Sequence, residues 1–119
     1  MKALIDTNIL VDYAQTLEDA ARELNRYDTL LVSRITWIEF LAGAKDAEED
    51  HNRRLMLETF KVLELDPAVS AEAILIRKNS RLKLPDAIIL ATARVHDLLL
   101  VTRNHRDFPR REPGIRIPY

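Results

Sequence analysis

With 119 residues, 47% of them apolar and 31% charged, the chain has room for one domain around a single core. A net charge of −1 excludes nucleic-acid binding by bulk electrostatics, so any such affinity must come from local patches. The lack of cysteine excludes disulfides, thiolate zinc sites and cysteine nucleophiles, and two glycines, Gly43 and Gly114, cannot build a GxGxxG or GxxxxGK[ST] phosphate cradle.

Met1 leads straight into a strand pattern, without the basic and long apolar regions of a signal peptide, and no apolar run is long enough to cross a bilayer. A cytoplasmic, soluble chain with no membrane partner is expected. Ala3-Leu4-Ile5 reads as a short buried strand that ends in Asp6-Thr7-Asn8, followed by a short helix over residues 8–14. Leu17, Ala20, Ala21 and Leu24 recur at helical spacing within residues 17–26. Residues 29–33 read as a second buried strand. Ser33 or Thr36 caps a helix over residues 35–44, which Gly43 helps to end. The charged stretch 45–54 is a solvated loop or helix surface, and a helix continues to Phe60.

Residues 62–65 form a third strand. Asp66-Pro67 starts a helix over residues 68–82 that buries Val69, Ala73, Ile76 and Leu82. Pro85 suits a first helical turn, and the nearly unbroken apolar run at residues 87–95 marks a central helix buried on most sides. Residues 98–101 are a fourth strand, residues 103–108 a loop or short turn. Ile115 and Ile117 mark an edge strand, whose pairing Pro113 and Pro118 limit. Strands alternating with helices predict one α/β domain over residues 1–119, with a mainly parallel sheet flanked by helices.

Most of the 19 acidic residues lie in charged stretches, but Asp6, Glu39 and Asp86 stand in apolar company. A buried charge needs a partner or a metal. Asp6 ends a strand and can also cap the next helix. Glu39 lies early in the helix after the second strand, and Asp86 opens the most apolar helix. In a parallel sheet all three fall near the carboxyl edge, where ligands bind. After the last central strand, Asn104 and Asp107 are three apart, so one turn presents both on the same side. Two carboxylates at 4 Å repel by roughly 4 kcal/mol at an effective dielectric of 20, so a converging set takes up protons or binds a divalent cation. Oxygen ligation without His or Cys suits Mg²⁺ or Mn²⁺. The competing expectation is that Glu39 and Asp86 pair internally with Arg34, Arg77 or Arg81.

These residues resemble a PIN-domain ribonuclease of the compact VapC toxin type. The matching segments are Leu4-Ile5-Asp6-Thr7-Asn8, Ser33-Arg34-Ile35-Thr36 leading to Glu39, Leu84-Pro85-Asp86-Ala87-Ile88-Ile89 with Ala91-Thr92-Ala93, and Val101-Thr102-Arg103-Asn104 with Asp107-Phe108. They occur in family order across residues 4–108. The resemblance implies a three-layer PIN fold and Mg²⁺- or Mn²⁺-dependent RNA cleavage. It places the acidic, metal-binding site on Asp6, Glu39, Asp86 and Asp107, supported by Thr7, Asn8, Thr102 and Asn104. Some family members carry Asp where Asn104 stands, which leaves open which position supplies the fourth acid. A homodimer and a small antitoxin, laid across the acidic groove so that a basic side chain displaces metal, are further implications.

Arg77, Lys78, Arg81 and Lys83 precede Asp86, and Arg103, Arg106, Arg110, Arg111 and Arg116 surround Asp107. Both clusters are expected to rim the pocket and hold a phosphate backbone. His51 and His96 read as surface residues, and His105 as a neighbour of the site. A receiver domain would need paired acids after the first strand and a lysine after the last, and a haloacid-dehalogenase phosphatase would need an acid where Asn8 stands. The further rivals are a non-catalytic PIN module and, within nucleases, a DNA-directed PIN variant.

Overall fold

Leu4 points to one side of the first strand and Ala3 and Ile5 to the other, and all three are fully buried. A strand buried on both faces belongs to a parallel sheet covered by helices. A computed structural model describes residues 1–108 and 114–119. Their order is β1 (Lys2–Ile5), α1 (Thr7–Ala14), α2 (Glu18–Leu24), β2 (Thr29–Ser33), α3 (Arg34–Ala42), α4 (Ala47–Leu57), β3 (Lys61–Leu63), α5 (Pro67–Asn79), α6 (Leu84–Val95), β4 (Leu99–Val101) and β5 (Ile115–Arg116).

All strand pairs are parallel, in the order β3-β2-β1-β4-β5, with Leu4 aligned to Leu31 on one side and to Leu100 on the other. One core packs α5, α6 and Phe108 against Leu4, Leu31 and Leu100. A second packs Ile9, Leu10, Ala20, Leu24, Phe40, Leu41 and Leu57 of α1 to α4 against Ala3, Ile5, Val32 and Val101. The expected three layers are therefore present. Because β2 and β3 lie on one side of β1 and β4 and β5 on the other, the direction of progress reverses at β1. Such a switch point opens a crevice beyond the carboxyl ends of the two central strands.

α6 has the character its composition demands: residues 87–93 are all buried, and Pro85 sits in its first turn. Of the two cap candidates for α3, Ser33 serves, its Oγ accepting from the Thr36 backbone N at 3.1 Å. Stretch 45–54 is largely helical, because Asp46 caps α4 by accepting from Glu49 N at 2.8 Å. That helix ends at Leu57 rather than reaching Phe60.

The third strand stops short of Leu65, which is exposed. The chain turns there, and Asp66 caps α5 by accepting from Val69 N at 2.9 Å. Leu82 is buried as expected but lies beyond α5, which ends at Asn79 and hands on to Ser80, whose hydroxyl donates to Ile76 O. β5 is an edge strand, as expected, and Ile117 follows it; Pro113, Arg110 and Arg111 lie outside the described residues.

Candidate active site

Asp6 follows the last residue of β1 and is 4% exposed. Its backbone N donates to Val101 O of β4 at 2.9 Å, so it stands at the switch point itself. Its Oδ1 accepts from Thr7 N at 2.7 Å, capping α1. Its Oδ2 accepts from Thr102 Oγ1 at 2.7 Å and from Asn8 Nδ2 at 3.3 Å. Capping and site membership are thus compatible. Burial pushes the Asp6 carboxyl above its ordinary value, hydrogen bonds from Thr102, Thr7 and Asn8 oppose that, and the Glu39 charge adds to it.

Thr7 reaches the other way. Its hydroxyl donates to Glu39 Oε1 at 2.7 Å, so α1 orients an otherwise exposed carboxylate on α3. Asp86, in the first turn of α6, is half-buried and receives no hydrogen bond or ion pair among the described residues. Its carboxyl is pushed up to about 6, first by burial and then by the charges of Asp6, Asp107 and Glu39, with Lys83 opposing. Four carboxylates from four segments therefore share one electrostatic neighbourhood.

The loop after β4 supplies the fourth. Thr102 is fully buried and, besides holding Asp6, accepts from Asn104 N at 3.0 Å. Asn104 Nδ2 donates to Asp107 Oδ2 at 3.0 Å, and its Oδ1 accepts from Asp107 N at 3.3 Å. Asn104 thus shapes the turn that presents Asp107, and within this loop the acid whose charge acts on Asp86 is Asp107.

The alternative of internal ion pairs does not hold. Arg34 makes a two-point contact with Glu64 at 2.8 and 2.6 Å, Arg77 donates to Leu82 O at 2.8 Å, and among the described residues Arg81 makes no hydrogen bond or ion pair with either acid. The donor set is all oxygen, which fits a hard divalent cation. As placed, no three carboxylates or histidines among the described residues stand close enough together to hold one ion directly.

Two expected phosphate contacts have other tasks. Arg103 is paired with Asp12, Nε to Oδ2 at 2.8 Å, and Arg116 with the buried Glu23, Nε to Oε2 at 2.7 Å. Of the other expected phosphate contacts among the described residues, Arg77, Lys78, Arg81, Lys83 and Arg106 are exposed, and Lys83 acts on Asp86; His105, His51 and His96 are exposed as well. Arg103, Arg106 and His105 line a hollow of about 280 Å³ with Asn8 and Asn104.

Asp12, Glu23 and Arg53 are not marked as site or junction residues by the sequence, because each depends on a partner remote in the chain or on a neighbouring helix. The only local signal is an acid or arginine on an apolar helix face. Arg53 of α4 donates to Phe40 O at 2.5 Å, and its guanidinium lies 4.6 Å from the Phe40 ring centre, closing α4 onto the helix that bears Glu39. Gly43 leaves room for it, since a Cβ there would stand 3.1 Å from Arg53 Nη1.

An all-parallel sheet with an acidic crevice at its switch point defines a compact α/β protein of the acidic-pocket class. Its sequence matches the PIN domain over residues 3–112, and the chain belongs to the PIN-domain family. A curated relative, Ribonuclease VapC1 of Methanocaldococcus jannaschii, is 26% identical over 98% of this chain and 86% of its own. Among solved structures, a chain of a toxin–antitoxin complex from Klebsiella pneumoniae is 40% identical over 98% of both chains, with a TM-score of 0.92. A chain of DNA-bound VapBC from Salmonella typhimurium is 25% identical over 98% of this chain and 96% of that one, with a TM-score of 0.79. The receiver and dehalogenase alternatives are set aside by this membership.

Proposed function

We propose that the chain is the ribonuclease toxin of a toxin–antitoxin pair, an endoribonuclease that hydrolyses RNA phosphodiester bonds with Mg²⁺ or Mn²⁺ at Asp6, Glu39, Asp86 and Asp107. The observation that carries this reading is the convergence of four carboxylates at the switch point, with Asp86 left unpaired among them. Charges so arranged oppose one another until a cation joins them. Mg²⁺ keeps several of its waters, so it tolerates carboxylates that stand apart. Bound there, a divalent cation activates water and offsets charge on the phosphodiester.

The chain's own groups prepare that chemistry. Thr102 and the Thr7 backbone N fix both oxygens of Asp6, the Thr7 hydroxyl holds Glu39, and Asn104 holds Asp107. Lys83, Arg81 and Arg106 receive backbone phosphates at the rim, with His105 beside them. Aromatic residues make up only 6% of the chain, so RNA shape rather than base stacking directs binding.

The partner is a small antitoxin, as the relatives' names suggest, and a basic side chain from it would compete with the cation for the carboxylates. Ile74 and Leu75 on α5 and Leu84 on α6 are exposed apolar residues that a homodimer would cover. No helix among the described residues is long and apolar enough to cross a membrane, and the proposed site of action is the cytoplasm.

The test is incubation of purified protein with total cellular RNA, with Mg²⁺ or Mn²⁺ and with EDTA, beside Asp86→Asn. Discrete metal-dependent fragments, absent in the variant, support the nuclease. RNA left intact under all conditions, together with no metal binding, favours a non-catalytic PIN module.

A further inference from the structure

We propose that Asp12 is a positioning residue of the acidic pocket, fixing the loop after β4 through Arg103 and thereby setting how tightly the pocket binds a divalent cation. This rests on the metal-dependent reading above. Asn8 and Asp12 are four residues apart on α1 and share one face of it. Asn8 Oδ1 accepts from the Arg103 backbone N at 3.1 Å. One turn on, the Asp12 carboxylate accepts from Arg103 Nε at 2.8 Å and Nη2 at 3.3 Å. Tyr119 OH completes the junction by donating to Asp12 Oδ2 at 2.8 Å. Asp12 is 8% exposed, whereas the Arg103 side chain is 46% exposed, so water is kept from the carboxylate side of the junction.

Arg103 is thus gripped at its backbone by one α1 residue and at its guanidinium by another. A planar two-point contact fixes orientation as well as place, which a lysine could not do. The residues on either side of Arg103 belong to the pocket: Thr102 holds Asp6, and Asn104 holds Asp107. The turn at Asn104 and Asp107 can form from its own hydrogen bonds. What Asp12 adds is the placement of that turn relative to Asp6. With no three carboxylates at ligand distance as placed, that placement decides how far Asp107 must move to share an ion. Loss of a partner that orients metal ligands typically lowers metal affinity about 10- to 100-fold.

The experiment is calorimetric titration of the full metal-free chain with Mn²⁺, for wild type, Asp12→Asn, Arg103→Met, their double variant and Tyr119→Phe, with a metal-free melting curve for each. Asp12→Asn and Arg103→Met are each expected to weaken Mn²⁺ about tenfold, with the double variant no weaker than the worse single one, because both act through one junction. Tyr119→Phe should shift affinity in the same direction by less. A purely structural role would lower the melting temperature and leave the Mn²⁺ affinity of the folded chain unchanged, which overturns the proposal. Should Asp12→Asn fail to fold, Arg103→Met keeps the backbone bond to Asn8, and wild-type affinity in that variant overturns it equally. A wild-type chain that binds no Mn²⁺ would overturn the metal reading itself, and this inference with it.

Discussion

The Thr102 hydroxyl donates to Asp6 Oδ2 at 2.7 Å across 96 residues of sequence, tying the carboxyl ends of the two central strands together. Both groups are buried, and the same hydroxyl oxygen accepts from Asn104 N. Thr102→Val keeps the shape and removes both bonds, along with a longer one that the hydroxyl accepts from Asn8 Nδ2 at 3.5 Å. It should cost about 2 to 3 kcal/mol, the range for leaving a buried charged acceptor and an amide short of partners. Denaturant unfolding would measure the loss, and an unchanged midpoint would refute the coupling. Because the lost donor stabilised the ionised form, Asp6 should also hold its proton to higher pH and bind metal less tightly.

Asp86 gives a pH signature opposite to that of an ordinary ion-paired acid. Its folded-state pKa of about 6 lies above the ordinary 3.8, so between those values the folded chain holds a proton that the unfolded chain has lost. Metal-free stability therefore falls as pH rises through that window. Asp86→Asn should flatten the slope, leaving the part due to Asp6, which is raised for the same main reason. After solvent screening the gain at pH 7.5 is on the order of 1 kcal/mol, or about 4 °C in melting temperature. Melting in EDTA at pH 5 and 7.5 tests this. A variant less stable than wild type at pH 7.5 would contradict it, whereas RNA cleavage should be lost altogether.

Glu23 and Arg116 form a second polar junction, in which the Arg116 side chain turns to Glu23 and bonds none of the four pocket carboxylates. Glu23 is 4% exposed and accepts from Arg116 Nε and Nη2 at 2.7 and 2.9 Å and from Tyr27 OH at 2.5 Å. Burial raises its carboxyl, but these donors outweigh burial and hold it below its ordinary value. The stability they confer is present above about pH 4.5 and is lost as pH falls through the depressed folded value. Arg116→Met should cost about 3 kcal/mol. That is the low end for breaking a buried pair, because the Arg116 side chain is 34% exposed. Cleavage per folded molecule should stay at the wild-type level, and a selective loss of activity would place Arg116 at the RNA interface instead.

Much of this architecture was legible in the chain. Ala3-Leu4-Ile5 running into Asp6, and the apolar run behind Pro85 and Asp86, announce a buried strand and a buried helix through composition alone. Their acids could then be placed at one sheet edge by the rule for parallel sheets. The limits of elements were harder to read. Leu65 and Leu82 look like continuations of their strand and helix, yet the Asp66 cap and the Ser80 turn end those elements first. Hardest to read were polar side chains whose partners lie far along the sequence. Arg103 and Arg116 look like phosphate contacts because they sit in a basic cluster, but Asp12 and Glu23 claim them. Periodicity reports which face is buried, not which charge will meet it there.

The most direct test of the acidic pocket is a crystal of the metal-free protein soaked in Mn²⁺ above pH 7, where Asp86 is ionised, and read by anomalous scattering. A Mn²⁺ peak is expected among Asp6, Asp86, Asp107 and Glu39, absent from Asp86→Asn crystals soaked alike. A pocket that stays empty at saturating Mn²⁺, or a peak outside these four carboxylates, would contradict it.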